Sequence, residues 1–199
     1  MRPSLDEERL GRAVAAIDAA NAADPNAIVV AGTRRPKELA HAELVTGWVT
    51  RLDPDADEPL LLAARAHHLR RWTIPRASYP EGRAGYLKWR RTLHDQHARE
   101  VAEILEAVGY DQPTIARVQQ LVRKRGLGSD PDVQVLEDAL CLVFIETQLH
   151  DLAARLEPAK VVDVVEKTAK KMSPRALELA LGLDIDPGDR DLLVQILGR

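Results

Sequence analysis

The residues best suited to chemistry crowd into one part of the chain. Ala66-His67-His68-Leu69-Arg70-Arg71-Trp72 runs on through Ile74-Pro75-Arg76, Tyr79-Pro80, Arg83, Tyr86 and Trp89-Arg90-Arg91 to His94 and His97. Four of the six histidines lie here, with two of the three tryptophans and two of the three tyrosines. Between Arg65 and Arg99 nine basic residues face two acids, about +7, whereas the whole chain is −3, so the remainder carries about −10. Guanidinium groups bind phosphate and carboxylate through paired hydrogen bonds, and imidazoles beside them can move protons or hold a metal. The stretch therefore reads as a site for an anion next to histidines.

His94 and His97 are three apart. Arg83, Leu87, Arg90, His94 and His97 step by four, three, four and three along one helical stripe. A solvated basic face would show the same stripe, but Trp72, Tyr79, Tyr86 and Trp89 among the charges favour a lined pocket. Elsewhere, four polar residues sit where the helical period would bury them. His41 shares a face with Val45, Trp48 and Leu52. His67 and His68 follow Leu60-Leu61-Leu62. Asp138 shares its face with Cys141, Leu142, Ile145 and Leu149. A buried carboxylate is costly unless paired or bound to a cation. His41, His67, His68 and Asp138 could together hold a divalent transition metal such as zinc, iron or manganese. The alternative is an Asp138–arginine pair and histidines satisfied within the core.

The elements that must position these groups read as helices. Ser4-x-x-Glu7 has the form of a capping box and opens a helix to about Ala23. Residues 27–31 are apolar and suit a short strand or a buried connection. Further helices are expected from Pro36 to Leu52, Glu58 to Trp72, Gly82 to Val108, Asp111 to Lys124, Pro131 to Leu156 and Pro158 to Met172. Two short helices open at Ser173-Pro174 and Asp186-Pro187. Ile74-Pro75 and Tyr79-Pro80 forbid helix between residues 73 and 81. No run of strand alternation interrupts this pattern. The expected architecture is all-α and a single domain, with an N-terminal helix and connection over 1–35, a core over 36–156 and a helical extension over 157–199.

Composition agrees. Aromatics are 4% of a chain that is 45% hydrophobic, so Ala, Leu and Val must build most of the core, and Ala and Leu favour helix. The lone Cys141 excludes an internal disulfide and suits a reducing compartment. No apolar run approaches the roughly 18 residues of a membrane span. The charged start, Met1 to Glu8, lacks the apolar core of a secretory signal. A cytoplasmic location is expected. The acidic net charge argues against general nucleic-acid coating, although a local basic patch could still dock RNA. Gly126-x-Gly128 is too short for a phosphate loop. Lys170-Lys171 and His150 read as ordinary helix surface.

Three short motifs resemble the HD-domain superfamily of metal-dependent phosphohydrolases. They are Glu38-Leu39-Ala40-His41-Ala42-Glu43, Ala63-Ala64-Arg65-Ala66-His67-His68-Leu69 and Leu136-Glu137-Asp138-Ala139-Leu140. The likeness covers about residues 36–150 and includes His97-Ala98-Arg99-Glu100-Val101-Ala102. It implies a core of about five helices and a metal held by His41, His67, His68 and Asp138. His68 stands where that superfamily has an aspartate ligand, and Arg123-Lys124-Arg125 stands where it has a later histidine. The Arg-Arg-Trp … Ile-Pro-Arg … Tyr-Pro … Arg … Tyr-Leu-x-Trp-Arg run more closely resembles a group of bacterial and fungal proteins described only as a domain of unknown function.

The function expected from these readings is metal-dependent hydrolysis of a phosphorylated small molecule or nucleotide. The metal would activate water. Arg71 and Arg76 would neutralise developing phosphate charge, and His94 or His97 would donate a proton. Arg83, Arg90, Tyr79, Tyr86, Trp72 and Trp89 would bind the substrate. A non-catalytic module binding an anion, nucleotide or RNA uses the same residues.

Overall fold

The computed structural model describes residues 5–197, and within them the protein is all-α apart from one small hairpin. Helix α1 spans Leu5–Ala22, and α2 spans Lys37–Leu52 after the hairpin. Helices α3 (Glu58–Ala66), α4 (Gly82–Val108) and α5 (Gln112–Val122) follow. The chain ends with α6 (Pro131–Arg155), α7 (Pro158–Ala169), α8 (Pro174–Leu181) and α9 (Pro187–Leu197). The capping box expected at Ser4 lies outside the described residues.

Helix starts follow local chemistry. Asp57, Asp111 and Ser173 each accept from the backbone N–H three residues on, and each precedes a proline in the first turn. Helix α2 solves the same problem at a distance. Pro36 has no side chain to cap with, so buried Asp24 accepts from the Glu38 N–H at 3.0 Å. Gly109, at φ 92, closes α4 in the left-handed conformation.

The hairpin pairs β1 (Ala27–Val30) with β2 (Thr33–Pro36), antiparallel, with Ala27 opposite Pro36. Its two-residue turn, Ala31-Gly32, has positive φ at both positions (48° and 75°), as a primed turn requires. Residues 27–30 are thus a strand, with Ala31 in the turn, paired with a partner that carries no hydrophobic alternation.

Helix α2 packs against α3 and α6, α5 against α3 and α4, and α1 against α3 and α4. Leu60, Leu62, Leu69, Leu105, Leu121, Leu136 and Leu142 are fully buried between them. Trp48 joins α2 to α6 through its indole N–H, which donates to Glu146 at 2.9 Å. Helices α7, α8 and α9 continue the same core through Val161, Val165, Ala176 and Leu193.

One boundary departs from expectation. The helix expected to reach Trp72 stops at Ala66, so His67 and His68 lie in a turn. Side-chain and tertiary bonds end it. Nδ1 of His67 takes the Ala64 carbonyl at 2.8 Å. Arg70 turns left-handed at φ 49, and its N–H donates to the buried side chain of Asn21 on α1 at 3.1 Å. A non-glycine residue in that region costs about 1–2 kcal/mol, so the surrounding contacts must hold it there. The turn projects two histidines, reverses, and then presents Arg71.

Candidate metal centre and anion cavity

Three elements bring the histidines together. His41 comes from α2, His67 and His68 from the turn after α3, and each offers a ring nitrogen within 4.8 Å of the others. The rings of His67 and His68 have centroids 4.2 Å apart, and His41 lies 6.3 Å from His68. His97, on α4, adds a fourth ring 6.0 Å from His68. His41, His67 and His97 are 3%, 4% and 0% exposed, and His68 is half-buried.

The hydrogen bonds fix which nitrogen faces inward. Nδ1 of His67 meets the Ala64 carbonyl, and Nδ1 of His97 meets the Leu69 carbonyl, both at 2.8 Å. A carbonyl only accepts, so both Nδ1 atoms carry the proton and both Nε2 atoms keep a lone pair. Those two Nε2 atoms are buried with no hydrogen-bond partner. Nε2 of His68 accepts from the Arg71 guanidinium at 3.3 Å, which leaves Nδ1 to donate to Oε2 of Glu38 at 3.1 Å. Anchoring the outer nitrogen on a carbonyl or carboxylate while the inner one stays free is how metal-binding histidines are oriented.

Charge in this region follows burial. Burial, reinforced by Lys37 and Arg71, pushes His41 down to about 4. Burial also lowers His67 and His68 well below the usual imidazole range and His97 to about 3. All four are neutral at pH 7, the form that ligates. Burial raises the Glu38 carboxyl to about 7 against the opposing pull of Arg71 and Lys37. The donor set of three or four imidazoles suits a borderline divalent ion and leaves positions for water or substrate.

Beside the histidines opens a cavity of about 240 Å³. His41 and His68 line one side, Arg71, Arg90 and Lys124 the basic side, and Leu140, Val143 and Phe144 the floor. The Arg71 guanidinium stacks on Trp89 at 4.8 Å, and the Trp89 indole N–H donates to the Ile74 carbonyl. Among the described residues no carboxylate lies within ion-pair distance of Arg71 or Arg90. Burial lowers Arg71, and the nearby Glu38 carboxylate offsets this only in part. Lys124 is the exception: it donates to buried Glu137 at 2.7 Å, and Lys171 approaches the same carboxylate at 3.4 Å. Burial would raise Glu137, but the two lysines outweigh it and hold the carboxyl down at about 2.

The expected residues divide. His41, His67 and His68 converge. Asp138 is buried as expected but turned elsewhere, accepting from the Ser173 N–H at 2.8 Å and from Gln134 at 2.9 Å. It ties α6 to the start of α8 and stands outside the histidine group. The Arg83–His97 stripe runs from solvent into the core. Arg83 is exposed, Arg90 and His94 line clefts, and His97 reaches the histidines. Tyr86 reaches the cavity; Trp89 supports Arg71 from beneath. Arg76 is bound to the Tyr79 carbonyl at 2.9 Å, and neither it nor Tyr79, Trp72 or Arg83 lines this cavity. Lys171, expected as plain surface, lines the cavity and approaches Glu137. Cys141 also borders it, its thiol pushed up to about 12 by burial. Glu38, three residues before His41 on the same face of α2, joins the site although nothing in its spacing marks it as a ligand.

The protein is thus an all-helical domain with a buried histidine cluster under a basic cavity. It belongs to the family described as Domain of unknown function (DUF4202), whose model matches residues 11–193. A comparison with curated proteins gives no match. One with solved structures gives none either.

Proposed function

We propose that the chain is a metal-dependent hydrolase of a phosphorylated small molecule or nucleotide. One observation carries the reading: three neutral imidazoles converge within 4.8 Å at the wall of a cavity whose two arginines, Arg71 and Arg90, lack carboxylate partners. A divalent metal bound there would supply Lewis acidity and a more acidic water. His41, His67 and His68 would hold it, with His97 next to them. Glu38 orients His68. Arg71, Arg90 and Lys124 draw a phosphoryl group to the histidines and balance its charge. Tyr86, at the rim, offers an aromatic face to the rest of the substrate. The resemblance of the His41, His67-His68 segments to HD phosphohydrolases supports the same class, with Asp138 removed from the ligand set.

Elemental analysis of the purified protein tests this, followed by phosphate release from a panel of phosphomonoesters and nucleotides. Bound transition metal, lost together with phosphate release in His67→Ala, is the expected result. A metal-free protein that no added ion activates would falsify it.

A second reading, a non-catalytic module that binds an anion, a nucleotide or RNA, draws on the Arg71–His68 contact. There the guanidinium occupies the nitrogen a metal would need. It predicts phosphate binding that is indifferent to chelators.

A further inference from the structure

A second cleft, of about 450 Å³, adjoins the first and shares Arg90, Lys124, Glu137 and Lys171 with it. Its outer side is formed by Arg91, His94 and Arg123. The shared residues are therefore a partition with a ligand-sized space on each face, and both spaces see the same cations. Both volumes together fall in the range of small-molecule sites.

The outer cleft is short of negative charge. Glu137 is its one acid, and that carboxylate is already held by Lys124 and Lys171. Arg123 touches Asp95 at 3.2 Å, but Asp95 is exposed and stands outside the cleft. Arg90 and Arg91 have no carboxylate within ion-pair distance among the described residues. The end of α5 puts one of these cations on the partition. Lys124 sits left-handed at φ 55, two residues past the end of α5, and its ammonium donates to Glu137 on α6. A lysine in a conformation that favours glycine is a strained choice, and here it places a cation on the partition.

We infer that the outer cleft is a second anion subsite, so the ligand carries two phosphoryl groups, one at the histidines and one at Arg91 and Arg123. The inference rests on the hydrolase reading only in placing the first group beside the histidines. The two groups could be adjacent, as in a diphosphate, or carried on separate carbons, as in a bisphosphate. The chemistry of recognition is the same: guanidinium forks and an ammonium around phosphate oxygens.

Equilibrium binding of AMP, ADP and adenosine 3′,5′-bisphosphate to the full chain as purified tests it. ADP or the bisphosphate should bind about tenfold or more tighter than AMP. The double variant Arg91→Gln/Arg123→Gln should erase that advantage while AMP binding and metal content stay as in the parent. Lys160→Gln, which removes a charge from the exposed face of α7, should keep the advantage. Which of the two probes gains tells adjacent from separated phosphates. Equal affinity of all three for the parent protein, or an advantage that survives the double substitution, overturns the subsite. Because no probe has to be hydrolysed, a metal-free, inactive protein would sink the hydrolase reading and leave this comparison standing.

Discussion

Nδ1 of His68 lies 3.1 Å from Oε2 of Glu38, and Glu38 owes its place to Asp24, which caps its N–H from before the hairpin. The carboxylate fixes the tautomer of His68. Glu38→Ala should lower metal affinity about 10- to 100-fold. Glu38→Gln, whose amide oxygen still accepts from Nδ1, should lose less. Competition with a chromogenic chelator measures both. Unchanged affinity in Glu38→Ala would remove Glu38 from the site.

Asp138 is buried like the histidines but stands outside their group. Its two bonds, to the Ser173 N–H and to Gln134, are structural. Asp138→Asn should cost about 1–2 kcal/mol of stability by urea denaturation, since the α8 N–H loses a charged acceptor. Metal content should not change. A metal-free Asp138→Asn protein with parental stability would restore the aspartate as a ligand.

Arg71 illustrates a conflict between stability and function. It is desolvated, stacked on Trp89 and without a carboxylate partner. Arg71→Met keeps much of the volume and removes a desolvated charge that Glu38 offsets only in part. It should raise the ligand-free unfolding free energy by about 1–2 kcal/mol. The same change should weaken phosphate binding at least about tenfold. Loss of stability on this substitution would mean that Arg71 is paired in solution.

Acid should unfold the protein through its histidines. In the unfolded chain His41 titrates near 6.5, in the folded chain near about 4. Between those values the unfolded state binds more protons, so stability falls as pH falls through that window. His41 alone is worth about 2–3 kcal/mol there. His67, His68 and His97 act in the same direction. Glu38 opposes them: raised to about 7, its carboxyl contributes stability in acid that is lost as pH rises through 7. Urea midpoints from pH 8 to 4 should decline below about 6.5, and less steeply in His41→Gln. A flat profile would place the histidines in water.

Much of the fold was legible because prolines, glycines and capping residues punctuate it. Pro36, Gly109, Pro131, Pro158 and Pro174 each fall within a residue of a helix boundary. The end of α3 was not legible, because residues 67–72 offer no breaker. The helix is stopped by Asn21, distant in sequence, and by a side-chain bond of His67. The partner strand of the hairpin, Thr33-Arg34-Arg35-Pro36, has no apolar alternation and is placed by its turn. For the site, helical faces gave the burial of His41 and Asp138, whereas His67 is buried from a turn past the end of α3. They could not say which way a buried group turns. Asp138 turns to the Ser173 N–H at the start of α8, a partner distant in sequence. The Lys124–Glu137–Lys171 group joins three separate elements, so no spacing along the chain announces it.

The left-handed Arg70 carries a consequence for how the protein comes together. Its backbone is held by Asn21, so the shape of the His67–Arg71 turn depends on α1 having docked. Loosening of the opening helix would therefore release the turn that places His67, His68 and Arg71, even where the leucines of α2 to α6 stay packed.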